Sequence, residues 1–262
     1  MVVAPGLLAL TAAAAAPPRA AAQTTAPTTL PATQADFDDS EQSVPPLAAD
    51  SPIPRWLADL ASPDAAARDA ATTALMDLDR TQLAQLHQCV RGLAFPSPAQ
   101  AAALHDIVIH DYLAADAYPP GPGGFLGLLS PFPMLGEPAR LGYTVELRVP
   151  GFPAFRVLRT GDVILSVLVN PDAPVDRQRS IPTPDFLALQ NAVSGAGAGN
   201  EVLLEVLRGG QRIRLSLRLA VRPLIPGNDA REATQQFFNE RAQRGQAYWE
   251  RAFLPLLRPG IS

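Results

Sequence analysis

The sequence predicts an α+β protein in which a helical block, a β-rich segment with one helix, and a C-terminal helix follow one another along the chain. Three observations carry that prediction. Apolar residues recur at helical spacing between 53 and 116, they alternate or run continuously in strand-sized stretches between 125 and 222, and a partly one-sided aromatic segment spans 228–256. The chain has 262 residues, of which 47% are hydrophobic and 18% charged, enough to bury a core with fewer charges than an average domain carries. All 21 basic residues are Arg, which excludes a P-loop, a Schiff-base lysine and a lysine general base.

The first element is an export signal over 1–22. Val2 to Ala16 is apolar, and Ala20-Ala21-Ala22 ahead of Gln23 offers a small-residue cleavage site, although no positive residue precedes the apolar stretch. The run is too short and too rich in Ala to span a bilayer, so no transmembrane span is expected, and the chain is placed in the periplasm or cell envelope. Residues 23–52 are Thr, Pro, Ala and acid without periodicity. Such a segment buries too little apolar surface to offset its ordering entropy and reads as a disordered linker.

Residues 53–116 read as a small helical bundle. Trp56, Leu57 and Leu60 mark a short leading helix. Ser62-Pro63-Asp64 caps a second, with Ala67, Ala71, Ala74, Leu75 and Leu78 along it. Leu83, Leu86, Val90 and Leu93 form a third stripe, and Ser97-Pro98 opens a fourth helix with Leu104 and Val108. The stretch from Trp56 to Leu78 resembles one degenerate HEAT-like helical repeat. Cys89 stands alone, so neither an intrachain disulfide nor a Cys-based zinc site can form, and it reads as a buried structural thiol. His87, His105 and His110 all lie in this block. The last two are five residues apart rather than the four of a zinc-binding helix pair, and no metal or cofactor is expected.

Residues 117–124 are dense in Pro and Gly and read as a boundary. Beyond them, Tyr143–Val149 and Val163–Val169 read as strands. Val202–Leu207 and Gln211–Leu219 form a hairpin across Gly209-Gly210, with Arg212, Arg214 and Arg218 on a solvated face. Pro184–Val193 reads as a helix, with Gly195 as its stop, and Asn170–Pro182 reads as an exposed loop. Asn228 or Asp229 caps the final helix, in which Arg and acidic residues balance, unlike a basic membrane-surface helix. Charge is uneven: residues 1–120 hold 5 Arg against 13 acids, and residues 121–222 hold 11 against 8. Neither block has the dense basic face of a nucleic-acid binder, so no nucleic-acid partner is expected.

Five landmarks in order make residues 121–222 similar to a bacterial-type PDZ domain. They are Gly124-Phe125-Leu126-Gly127-Leu128, Val149-Pro150-Gly151-Phe152-Pro153-Ala154, Leu158-Arg159-Thr160-Gly161-Asp162-Val163-Ile164, the helix at 184–193 and the final hairpin. The resemblance implies a small PDZ-like β-barrel or sandwich with two helices. It also implies a groove in which Gly124, Phe125, Leu126, Gly127 and Leu128 hold a carboxylate. Phe186, Leu189 and Gln190 would line the opposite wall. Independently of the family, backbone N–H groups turned inward around a Gly hold anions, and a free strand edge accepts an extended peptide. No Arg precedes the loop, which follows Pro-Gly-Pro, and Pro131-Phe132-Pro133 soon follows it.

The resulting expectation is a non-enzymatic exported protein that binds protein C-termini or extended peptides. No Gly-x-Ser-x-Gly elbow or other catalytic set occurs in the sequence. Two alternatives stay open. One is a regulatory or substrate-delivery subunit of a separately encoded envelope protease, and the other is a structural spacer whose groove is covered by its own C-terminal helix.

Overall fold

Three of the first four helices start where a side chain takes an N–H group that the first turn leaves free. In the computed structural model, which describes residue 47 and residues 50–93, 96–130, 141–226 and 230–257, the helical block holds α1 (Ile53–Asp59), α2 (Ala65–Leu75), α3 (Arg80–Arg91) and α4 (Pro98–Ala114). The expected export signal, nearly all of the linker, Pro131-Phe132-Pro133 and the Asn228/Asp229 cap lie outside the described residues. Asp79 and Gln82 form a reciprocal capping box at 2.8 and 3.0 Å, and Ser97 and Gln100 form another at 3.2 and 2.9 Å. The start of α2 differs from the expectation by two residues. Ser62 Oγ accepts the Asp64 N–H, and it is Asp64 Oδ1 that caps the helix by accepting from Ala66 N at 3.0 Å.

The block does not close on itself. The chain returns to it in α7 (Ala230–Tyr248), which runs through a π-helical turn (Trp249–Phe253) into α8 (Leu254–Leu257). Pro255 cannot donate to a carbonyl one turn back, and the helix widens just ahead of it. Tyr248, Trp249 and Phe253 enter one core with Leu57, Leu75, Leu86, Leu104 and Ile107. Tyr112 and Tyr248 stack at 4.1 Å, and His87 Nε2 donates to the Ala252 carbonyl at 3.1 Å. His105 Nε2 meets Gln246 Oε1 at 2.9 Å.

The remaining elements are β1 (Pro120–Phe125), β2 (Leu128–Leu129), β3 (Tyr143–Thr144), β4 (Leu147–Arg148), α5 (Pro153–Val157), β5 (Val163–Val169), β6 (Arg179–Pro182), α6 (Phe186–Ala196), β7 (Glu201–Arg208), β8 (Gln211–Arg218) and β9 (Ala220–Pro223). Asp185 caps α6 by accepting from Ala188 N at 2.7 Å, and the helix ends at Gly197, whose φ is +85°, rather than at Gly195.

The closed PDZ-like barrel or sandwich with two helices does not form. Among the described residues the strands fall into separate open sheets. β1 pairs with β9, β2 pairs with β4, and a five-stranded sheet runs β3-β5-β7-β8 with β6 also on β5. β8 pairs only with β7, and β3 and β6 pair only with β5, so the larger sheet keeps open edges. The physical reason lies in the short strands. β2, β3 and β4 are two residues each, and prolines at 119, 120 and 122 withhold donors from β1, whose register shifts between Pro120 and Gly124. Nor is the β part accompanied by just two helices, because α4 and α7 pack on it beside α5 and α6. Phe238 of α7 shares a cluster with Val149 and Phe152, and His110 Nδ1 of α4 accepts the Gly151 N–H at 3.1 Å.

Two further differences are local. The Pro-Gly stretch read as a boundary supplies β1, and the loop read from Asn170 to Pro182 supplies β6, which pairs with β5 from Ser166↔Pro182 to Val169↔Arg179. The hairpin β7–β8 has the expected alternation, with Arg212, Arg214 and Arg218 exposed.

The uneven charge of the sequence becomes a seam. Asp69 and Asp77 of the helical block pair with Arg159 and Arg156 of the β part. Arg241 of α7 is buried, donates to Asp116 Oδ2 at 3.2 Å and to the Leu113 carbonyl, and lies 4.7 Å from the Phe152 ring. Asp162, in the Leu-x-x-Gly-Asp stretch, is 2% exposed. It accepts the Arg159 N–H at 2.7 Å and a forked pair from Arg208 at 2.9 and 2.7 Å, so its work is structural. Among the described residues no helix is long and apolar enough to cross a membrane.

Candidate functional site

The loop Gly124–Leu128 is held by what passes over it. A Cβ on Gly124 would stand 2.7 Å from the Val193 carbonyl oxygen and 2.9 Å from that of Gly197, and one on Gly123 would overlap Ser194. The backbone of β1 therefore lies directly beneath the C-terminal half of α6. Gly127 has φ +84°, and a Cβ there would run into Phe152. The space that this glycine clears is filled by an aromatic ring, so its first role is to seat the Phe152 turn rather than to open a path for an anion.

Side chains leave the loop in two directions. Leu126 and Leu128 join Leu189, Ala192 and Val193 in the core of the β part, each almost fully buried. Phe125 goes to the other cluster, 4.9 Å from the Phe152 ring and 6.2 Å from that of Phe238. The C-terminal helix thus covers the Phe125 side, while the Leu126 and Leu128 side faces α6. Phe186 is half-buried with its ring 5.2 Å from Tyr143, whose hydroxyl lies 3.4 Å from the Leu129 carbonyl. Burial, with Glu146 adding, pushes the Tyr143 hydroxyl up to about 12, so it stays protonated.

The backbone of β2 pairs on one side with β4, and its other side is covered, with Leu128 3% exposed. The Gly127 carbonyl accepts from Val149 N at 2.8 Å, and the pairs Leu128↔Arg148 and Leu129↔Leu147 continue an antiparallel ladder. In such a ladder alternate residues turn their N–H and C=O outward, and here that residue is Leu128.

A cation that sequence reasoning missed stands between the loop and α6. Arg222, on β9, lies 5.8 Å from the Phe125 ring centroid. Gln190, with its amide oxygen turned to the cation, accepts from Arg222 Nη2 and Nη1 at 3.1 and 3.2 Å. Arg222 Nε is buried without a hydrogen-bond partner among the described residues. It is brought there by the β1–β9 pairing, in which Gly124 faces Val221 and Phe125 faces Ala220. The available signal was the continuation of alternating polar residues past Leu219 into Ala220-Val221-Arg222.

Of the expected site residues, Leu126, Leu128 and Leu189 come together with Phe186 packed against the same cluster, Gln190 reaches the loop through Arg222, and Phe125 is engaged elsewhere. Gly124 and Gly127 shape the loop. No group of three or more His, Cys, Asp or Glu side chains among the described residues is placed to hold a metal ion. No protein-family model matches this chain, and no curated protein matches it.

Proposed function

We propose that this chain is a non-enzymatic binding protein that takes a protein C-terminus or an extended peptide against Gly124–Leu128, β2 and α6, and that it acts after export, in the periplasm or cell envelope. The observation that carries the reading is Arg222. The sequence offered no positive charge beside the loop, yet the guanidinium stands against both Phe125 and Gln190 with one buried N–H uncommitted among the described residues. A terminal carboxylate is the group such a donor pairs with. Once the cover over β2 parts, the turned-out N–H and C=O of Leu128 offer a peptide strand its first ladder bonds, and the apolar neighbours Leu126, Leu189 and Val193 select an apolar terminal side chain. The resemblance of Gly124–Leu128 and Leu158–Ile164 to PDZ motifs supports the same ligand class. Because those apolar side chains are packed together in the free chain, binding has to part α6 from β2, which lowers apparent affinity.

The test is a titration of the full chain with a peptide ending in a free apolar residue, followed at the Phe125–Leu128 amides. Saturable shifts that vanish for the C-terminally amidated peptide, and for Arg222→Gln, are expected. If free and amidated peptides alike leave these amides unmoved, the reading is lost. A second reading, a structural element with a covered loop, is favoured by the Phe125–Phe238 contact, and in it Phe238→Ala would loosen the loop without exposing any peptide binding. A regulatory role beside an envelope protease would require that protease to co-purify from cross-linked envelope extracts. Sequencing of the mature N-terminus checks export, since an intact Met1 would contradict it.

A further inference from the structure

We infer that the cavity between α4 and the Gly151–Pro153 turn is a second binding site, for a small monocarboxylate with an apolar body. The cavity measures about 280 Å³, and Met76, Leu78, Phe152 and Pro153 give it apolar walls. That volume equals roughly nine waters at about 30 Å³ each, room for a six-carbon acid. Its polar lining is His110, Arg156, Arg218 and Asp77, with Tyr118 at one side.

Two of these groups are uncommitted. His110 is 5% exposed, and its Nδ1 accepts the Gly151 N–H at 3.1 Å. A neutral ring in that position carries its proton on Nε2, which has no acceptor among the described residues. Burial, with Arg156 and Arg241 nearby, holds the His110 pKa down to about 3, so the ring is neutral over the whole physiological range. Arg156 is matched by Asp77. Arg218 lines the same cavity, and no ion pair or hydrogen bond engages its side chain among the described residues. The lining therefore presents one cation without an ion pair or hydrogen bond among the described residues, with Glu201 opposite it on β7, and one free N–H donor beside the apolar side chains of Met76, Leu78, Phe152 and Pro153. A carboxylate satisfies both, one oxygen to each, and an apolar tail fills the remainder. A doubly charged phosphate would leave one negative charge unmatched, and an amine would meet donors and a cation.

The inference is independent of the peptide site, and its test separates the two. Hexanoate is titrated into the full chain while the His110 imidazole and the Phe125–Leu128 amides are followed by NMR. Saturable shifts at His110 with the loop amides unmoved are expected, and neither hexylamine nor inorganic phosphate should reproduce them. Arg218→Gln removes an exposed side chain with no fold partner, so its melting curve should match the wild type while hexanoate binding weakens at least about tenfold. Ala114→Trp, at the exposed rim of the cavity, should block binding in a second way. Absence of a saturable His110 shift, equal binding by Arg218→Gln or Ala114→Trp, or an equal response to phosphate would each overturn the assignment.

Discussion

His110 and Asp111 are neighbours on α4, and burial moves their acidities in opposite directions. Asp111 is 2% exposed, and neither carboxylate oxygen is hydrogen-bonded among the described residues. Burial, then the Asp77 charge, pushes its pKa up to about 9 against the opposing pull of Arg156. Above pH 3.8 the unfolded chain releases the Asp111 proton and the folded chain keeps it, so stability falls as pH rises through that window towards 9. For His110 the unfolded chain gains a proton below 6.5 and the folded chain does not until about 3, so stability falls as pH drops. Between 3.8 and 6.5 the two slopes oppose each other, leaving a plateau with losses on either side. Asp111→Asn should remove the alkaline loss, raising the melting temperature near pH 8 and changing little near pH 4. Thermal melts across pH check this, and parallel curves for the two proteins would mean that Asp111 is already ionised in the fold. Nothing in the sequence marked Asp111, because an acidic residue on a periodic helix reads as solvated until the partner elements bury it.

At the scale of elements, local grammar was legible and distant pairing was not. Ser97-Pro98 sits at a helix start because the Ser97 side chain satisfies an N–H group one turn on, a signal contained in a few residues. The alternation of Ile213, Leu215 and Leu217 against Arg212, Arg214 and Arg218 likewise fixes the face that β8 turns to water. The pairing of β1 with β9 depends on residues about a hundred positions apart, and two-residue strands such as β2 and β4 carry no period to read. For the same reason the loop glycines were seen and their packing partners were not. Gly127→Ala should cost about 2–4 kcal/mol, through a disfavoured φ and a clash with Phe152, whether or not any ligand is bound. Denaturant unfolding measures it, and a variant as stable as wild type would mean that the Phe152 turn moves aside freely.

At the scale of the molecule, all the described residues belong to one compact unit, Ser43–Ser262, and the helical block takes part of its core from the end of the chain. Tyr248, Trp249 and Phe253 together bury enough apolar surface for roughly 10–15 kcal/mol, comparable with the entire net stability of an ordinary domain. A chain ended at Pro226 should therefore lose cooperative melting of α1–α4, read by far-ultraviolet circular dichroism. Cooperative melting of that chain at the wild-type temperature would show the block to be self-sufficient. The return of α7 also sets a clock. Contacts such as His105–Gln246 and Leu113–Arg241 close loops of 141 and 128 residues, long-range closures of the kind that slow folding. During synthesis the first helices stand without the α7 residues that complete their core, so that stretch stays open to proteases and chaperones until α7 has followed it.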